Sequence, residues 1–96
     1  MHTTRSNDLE ESGNLLAVLQ EPNRLRILCL LKGGEQCVCV INESLGLSQH
    51  LVSHHLATLR DAGLVCVRRE GRKMFYQRNE QKLRTAIRQL MVTLSV

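Results

Sequence analysis

The sequence predicts a mainly α-helical domain that carries one β-hairpin. Apolar residues recur at helical spacing through most of the chain, which predicts amphipathic helices. A short connection at Gly46-Leu47 separates two of these helices, and two β-prone segments farther along are joined by a glycine-containing loop. The 96 residues can build one compact core but hardly two, so we expect a single domain over residues 1–96.

Charge is unevenly distributed along the chain. The net charge is +4, but residues 48–78 hold six Lys or Arg against two Asp or Glu, whereas residues 1–47 hold four against six. The positive middle third favours an anionic partner such as nucleic acid. No apolar run approaches a membrane span, and Met1–Glu11 lacks the apolar core of a secretory signal. We therefore expect a cytoplasmic protein without membrane contact, whose four cysteines stay reduced.

The first two helices are expected near the start of the chain. Apolar spacing predicts a helix over about Asp8–Gln20, after a flexible start at residues 1–8, and Gly13 weakens its first turns. Pro22 suits the first position of a second helix, because its missing N–H costs nothing there. Gly33-Gly34 then ends that second helix.

A helix-turn-helix follows. The segment Glu35–Leu45 is too rich in β-branched residues to be helical throughout, and its start is a candidate for extended structure. After the Gly46-Leu47 connection, Ser48 is a good N-cap for a helix that runs to about Ala62, with Gly63 as its C-terminal cap. In DNA-binding proteins this arrangement presents the second helix to the duplex.

That second helix has two contrasting sides. At about 100° per residue, Val52, Leu56 and Leu59 share one side of it. The opposite side holds His50, Ser53, His54 and Ala57. One side is therefore expected to pack, which leaves the other free to contact a partner.

A hairpin and a terminal helix complete the fold, a winged helix-turn-helix of about five helices and a two-stranded wing. The predicted strands are Leu64–Arg69 and Met74–Arg78, joined by the basic loop Glu70–Lys73. The last helix spans about Glu80–Leu94. Its apolar positions are Leu83, Ile87, Leu90, Met91 and Leu94. So broad an apolar face needs a partner, and we expect residues 80–95 to form a homodimer with a second copy of the chain.

Several strings in this order of elements resemble one family, the ArsR/SmtB metal-responsive repressors of bacteria and archaea. The strings are Pro22–Leu28, Leu47–Gln49, Val52–Leu56, Leu59–Val65 and Arg69–Arg72. The resemblance covers about Asp8 to Leu94. It implies a homodimer paired through its first and last helices, with the second helix of each helix-turn-helix in the major groove of operator DNA and the wing near the backbone or minor groove.

Eight residues are predicted to contact double-stranded DNA. They are Ser48, Gln49, His50, Ser53, His54, Arg69, Arg72 and Lys73. The side chains on the helix can reach base edges or phosphates, and the basic residues of the hairpin suit phosphates, with Gly71 allowing a positive φ in the turn. A merely solvated helix face and a solubilising hairpin are the competing interpretations. His55 points toward the packed side, which predicts a structural histidine, and Arg60 is expected to pair with Asp61 or Glu43.

Cys37 and Cys39 resemble the Cys-x-Cys pair of the family's arsenic, antimony, cadmium and lead sensors. Two thiolates suit soft ions, so the resemblance implies a metal site at Cys37 and Cys39 with As(III), Sb(III), Cd(II) or Pb(II) as inducer and no cofactor for DNA binding. Arsenic sensors of the family often carry a third cysteine at the position that Asn42 occupies here. The third ligand could come from a small cellular thiol, from His2 of the other subunit, or from Cys29 or Cys66.

Residues two apart on an α-helix point in nearly opposite directions, so Cys37 and Cys39 can hold one ion only if their segment is extended or unwinds. We therefore expect ligand binding to strain this segment, release the operator and derepress nearby resistance genes. Packing roles are expected for Cys29, on an apolar helix stripe, and for Cys66, within a strand.

Other functions compete with metal sensing. The cysteines of a repressor with the same fold could instead respond to oxidants or sulfur species, forming a disulfide or polysulfide. A cysteine enzyme would need a base beside the thiolate, and His50 and His54 face outward, so we expect no enzyme activity. A purely structural module is a third class. The last helix holds no His or Asp, which predicts no zinc or nickel site there.

Overall fold

A computed structural model describes residues 6–95 and has the predicted mainly helical, winged architecture. The five α-helices are α1 (Ser6–Leu19), α2 (Pro22–Leu30), α3 (Val38–Leu45), α4 (Gln49–Asp61) and α5 (Glu80–Leu94). The strands are β1 (Gln36–Cys37), β2 (Val65–Glu70) and β3 (Lys73–Arg78). A 3₁₀ turn at Leu31–Gly33 follows α2. The sheet thus has three strands rather than the two expected of the wing alone.

The first helix starts earlier than predicted. It begins at Ser6 rather than Asp8 and continues through Gly13 without a break. Residues 6–8, part of the start predicted to be flexible, are therefore helical. Residues 1–5 lie outside the described part of the chain.

Side chains cap several helices as the sequence suggested. Ser48 has an extended backbone and its Oγ accepts the N–H of Leu51 at 3.2 Å, which satisfies a free amide at the start of α4. Glu21 caps α2 in the same way, with a carboxylate oxygen 2.8 Å from the N–H of Asn23. Gly46 ends α3 with a φ of 63°, a left-handed conformation that a glycine adopts without strain.

The third strand comes from the segment Glu35–Leu45. Its start is extended and its remainder is helical, as its β-branched content suggested. β1 pairs antiparallel with β3, which lies between β1 and β2, so the short strand joins the wing to the helix-turn-helix. In this sheet Cys37 lies opposite Phe75, and Phe75 lies opposite Arg68 on its other side.

The buried side chains form one cluster beneath α4. Seven of them have almost no exposed surface: Ile27, Leu31, Ile41, Val52, Leu56, Leu59 and Leu64. α1 and α5 pack against each other beside this cluster, and the hydroxyl groups of Ser12 and Thr93 lie 3.2 Å apart at their contact. Across residues 6–95, no helix combines the length and apolar character needed to cross a bilayer.

Candidate functional site

The two sides of α4 are separated as predicted. Val52, Leu56 and Leu59 are completely buried, which fixes the rotation of the helix about its axis. The polar residues predicted to contact a partner all lie exposed on this helix or at its start: Ser48, Gln49, His50, Ser53 and His54. The structure therefore presents them together on one accessible surface.

His55 is set apart from these residues, as expected. Its side chain is buried, and its Nε2 lies 3.7 Å from a carboxylate oxygen of Glu21, the residue that caps α2. The contact ties the middle of α4 to the start of α2, so His55 has a structural role. Arg60 lies 4.0 Å from Asp61 at the surface, the first of its two predicted partners.

The three hairpin residues predicted to contact DNA, Arg69, Arg72 and Lys73, are all exposed. Gly71 has the predicted positive φ, 63°, in the turn between the strands. Within residues 6–95, no carboxylate forms an ion pair with any of the three. Their charges therefore remain available to an anionic partner.

Arg68, one residue before Arg69, is held in a different way. Its guanidinium forms two hydrogen bonds to Glu35, at 2.7 and 2.8 Å, and a third to Glu70 at 2.8 Å. The same group stacks over the ring of Phe75, 4.6 Å from its centre. The Arg68 guanidinium holds the pKa of the Glu35 carboxyl below its ordinary value, chiefly through these hydrogen bonds.

The contacts of Arg68 and Glu35 are absent from the predictions made from the sequence. Alternation along a strand places Arg68 and Glu70 on one face of the sheet and Arg69 on the other. This two-residue alternation could have distinguished Arg68, which is ion-paired, from Arg69. Nothing in the sequence, however, indicated that Glu35 lies beside β2, because β3 separates them.

Cys37 and Cys39 are brought together at the start of α3. Cys37 is the N-cap, with an extended backbone (φ −66°, ψ 145°), and its Sγ accepts the backbone N–H of Cys39 at 3.4 Å. The segment of these two residues has to be extended or to unwind before both thiols can face one ion. In the structure Cys37 is extended. α3 therefore need not unwind for the two sulfurs to converge.

The two thiols differ in acidity. The pKa of Cys37 is lowered, because the Cys39 thiol and backbone amide both donate hydrogen bonds to its sulfur. The positive charge of Lys73, on the neighbouring strand β3, lowers this pKa further. The pKa of Cys39 is raised by the same thiol–thiol hydrogen bond. Cys37 is thus the sulfur that deprotonates first, and a thiolate is the form that binds soft ions.

The other cysteines depart from the prediction. Cys29 and Cys66 were expected to pack, but both are exposed on the described chain, because each points away from the core. Neither completes a site with the pair: the part of the chain that the structure describes contains no group of three His, Cys, Asp or Glu side chains able to hold a metal ion. His2, the other protein ligand considered, lies outside the described residues.

Comparisons with known proteins agree on one family. The family described as bacterial regulatory protein, arsR family, matches residues 21–67. The arsenical resistance operon repressor of Staphylococcus xylosus is 43% identical over 74 residues, which are 77% of this chain and 71% of that protein. The same-named repressor of Staphylococcus aureus is 39% identical over 83 residues, 86% of this chain and 80% of that protein.

A solved structure shares the fold. The crystal structure of a possible transcriptional regulator for arsenical resistance superposes with a TM-score of 0.77 at 35% sequence identity. The match covers 86% of this chain and 85% of that one.

The unequal acidity of the two thiols predicts unequal alkylation. Because the pKa of Cys37 is lowered and that of Cys39 is raised, iodoacetamide should label Cys37 at a lower pH than Cys39. Tandem mass spectrometry of protein quenched across a pH series measures both rates. Cys39→Ala removes the thiol donor, so it should move the Cys37 profile to higher pH, whereas Cys66→Ala should leave the profile unchanged. Earlier labelling of Cys39 would contradict the assignment.

Proposed function

The chain belongs to the ArsR family of bacterial regulatory proteins, and on that premise we propose that it is a dimeric repressor that a thiophilic metalloid or metal releases from its operator. The transcriptional regulators of this family bind DNA. As(III) and Sb(III) are the proposed inducers, with Cd(II) or Pb(II) as soft divalent alternatives. The observation that carries the proposal is the position of two thiols at the cap of α3, where the Cys37 sulfur accepts the amide hydrogen of Cys39.

The surface formed by α4 and the hairpin is the proposed DNA interface. The exposed polar residues of α4 suit base edges in the major groove, where Gln49 can pair with adenine. The free backbone amides at the start of α4 suit a phosphate. Arg69, Arg72 and Lys73, which lack acidic partners among the described residues, suit phosphates beside the groove.

A second copy of the chain is the proposed partner of the helices α1 and α5. Both helices leave large apolar side chains on the surface, namely Leu9, Leu16, Ile87, Met91, Val92 and Leu94. Leu94 is 70% exposed and Met91 66% exposed, although both lie on the broad apolar face predicted for the last helix. Pairing two such surfaces across a twofold axis would bury them, as the family resemblance also implies.

Ligand binding at the cysteine pair would follow from thiol chemistry. Each sulfur that bonds to As(III) gives up its proton, and arsenous acid loses one hydroxyl as water for each bond formed. Two protein bonds leave one arsenic valence, which a small cellular thiol or a residue of the second subunit would fill. Cys37 is extended and lies outside α3, which is the first of the two arrangements expected from the sequence, so a ligand would join Cys37 to Cys39 at the first turn of this helix.

The lowered pKa of Cys37 also supports the second candidate function, a repressor that senses oxidants or sulfur species. In that case the oxidised thiol would pair with a cysteine of another subunit or with a small thiol. β3 lies between Cys37 and Cys66, so their strands are about 9.5 Å apart, beyond the reach of a disulfide in this fold.

Dimerisation should depend on the exposed apolar face of α5. Met91→Lys places a charge in the proposed interface and should weaken self-association at least about tenfold, because buried interface side chains carry most of the binding energy. Sedimentation velocity over a concentration series measures this. The matched control is Gln81→Lys, which changes an exposed polar residue of the same helix. A folded Met91→Lys dimer of undiminished stability would contradict the interface.

Phosphate contact by the hairpin should appear in the salt dependence of DNA binding. Arg72→Ala should weaken binding to all sequences alike and reduce the slope of log affinity against log salt by about one for each phosphate that Arg72 neutralises. Fluorescence anisotropy on promoter DNA at several salt concentrations measures the slope. Arg26→Ala, an exposed arginine on α2, is the control that should change neither quantity. An unchanged slope for Arg72→Ala would remove this residue from the interface.

Inducer release should require both thiols of the pair. Under reducing conditions As(III) should raise the Kd for operator DNA by about five- to 150-fold, the usual range of allosteric coupling. Cys37→Ser and Cys39→Ser should each abolish this rise, and Cys66→Ser should retain it. Serine is a good N-cap, so Cys37→Ser should keep the fold and the basal affinity. If As(III) still releases DNA from both Cys37→Ser and Cys39→Ser, the site is refuted. Release of DNA by peroxide, but by none of As(III), Sb(III), Cd(II) and Pb(II), would favour the redox function.

A further inference from the structure

We propose that a ligand at Cys37 and Cys39 acts on the hairpin wing rather than on α4, and that Glu35 and Arg68 are the positioning residues that transmit its effect. The proposal rests on the proposed function, because it describes how the cysteine pair and the DNA interface of that function communicate. It assigns a regulatory role to two residues that contact neither the ligand nor the DNA.

The first support is the sheet that contains both sites. Cys37 belongs to β1, which pairs with β3, and the register places Cys37 opposite Phe75. β3 begins at Lys73, at the tip of the wing and two residues from Phe75. β1 has only two residues, so its pairing with β3 is short and easily perturbed. A ligand that holds Cys37 against Cys39 therefore acts on a strand that directly supports the wing.

The second support is the network around Arg68. Glu35 lies two residues before Cys37, and alternation along an extended chain places both on the same outer face of the sheet. Arg68 of β2 reaches across β3 to make its bidentate bond to Glu35 and covers Phe75 on the way. Its third bond holds Glu70, next to the wing turn. Displacement of the β1 end would therefore pull on both strands of the wing.

α4 is connected to the cysteine pair less directly. The described chain shows no hydrogen bond or ion pair between α4 and the side chains of Glu35, Cys37 or Cys39. α3 packs on α4, but the orientation of α4 is fixed by its own buried face and by the contact between His55 and Glu21. The polar connections of β1 lead to the wing instead.

The two routes make different quantitative predictions. If the ligand acts by withdrawing the wing from DNA, then substituting the phosphate-contacting residues of the wing removes the same interactions that the ligand removes. The losses of DNA affinity caused by the ligand and by the substitutions then do not add. If the ligand acts through α4, it lowers the affinity of a wing-neutralised protein by the same factor as that of the wild type. The informative quantity is the response ratio, the Kd for DNA with As(III) divided by the Kd without it.

The first experiment measures this ratio for Arg69→Ala/Arg72→Ala, which neutralises the wing but leaves Lys73 beside the cysteine pair. Anisotropy at low salt keeps the weakened complex measurable. We expect a wild-type ratio of about ten or more and a variant ratio of about three or less. Equal ratios in the two proteins would overturn the wing route.

The second experiment tests the positioning residues with Glu35→Gln, which keeps the shape of the side chain and removes its charge. Its control is Glu43→Gln, an exposed carboxylate of α3. As(III) binding, followed by arsenic–sulfur absorbance in the ultraviolet without DNA, should be the same in both variants and the wild type. The response ratio should fall at least about threefold in Glu35→Gln only. Circular dichroism confirms that each variant folds.

The outcomes separate this inference from the proposed function. A wild type that binds no As(III), or binds it and stays on DNA, overturns the metal-sensing function and with it this inference. A wild type that releases DNA while Glu35→Gln binds As(III) and responds with an unchanged ratio overturns only the positioning role. A lower ratio in Arg69→Ala/Arg72→Ala and in Glu35→Gln, with As(III) binding intact, supports the wing route and the positioning role of the bond between Glu35 and Arg68.

Discussion

The architecture depends on the complete burial of one side of α4. Val52, Leu56 and Leu59 have no exposed surface, so the helix cannot rotate without exposing apolar area to water. This constraint determines which polar side chains face outward and at what angle they meet a partner. The neighbouring elements reinforce it, since Ser48 fixes where the helix begins and the contact between His55 and Glu21 ties its middle to α2. The exposed surface of α4 that we propose contacts DNA is therefore a consequence of core packing.

A second level of organisation lies in the three-stranded sheet. Its outer face carries a thiol pair, a stacked guanidinium and two carboxylates, which come from β1, from β2, from the residue before β1 and from the start of α3. Arg68 and Arg69 show how strand alternation gives adjacent arginines different environments. One has its charge matched by Glu35 and Glu70, which stabilises the sheet, and the other remains free on the opposite side. The wing thus combines an ion-paired arginine, Arg68, with basic side chains that have no acidic partner among the described residues, Arg69, Arg72 and Lys73.

Most of the fold could be predicted because its signals are local. Helical periodicity, Pro22, the cap at Ser48 and Gly71 each act within a few residues, and the structure agrees with all of them. The start of α1 was predicted two residues late, because helix ends depend on weak preferences.

The pairing of β1 with β3 and the ion pair between Glu35 and Arg68 depend on residues more than 30 positions apart, and no local pattern reveals them. The packing predicted for Cys29 and Cys66 failed for a related reason: apolar neighbours in sequence do not establish which way a side chain points.

The position of Cys37 at the start of α3 has a consequence for how such a protein could change over evolutionary time. Its sulfur fills a role, accepting an amide hydrogen at a helix start, that serine, threonine, aspartate or asparagine usually performs. A lineage could exchange Cys37 for one of these residues, or regain it, without losing the helix. Under the proposed function, the response to soft ions could therefore be gained or lost by substitution at this one position while the fold stays intact.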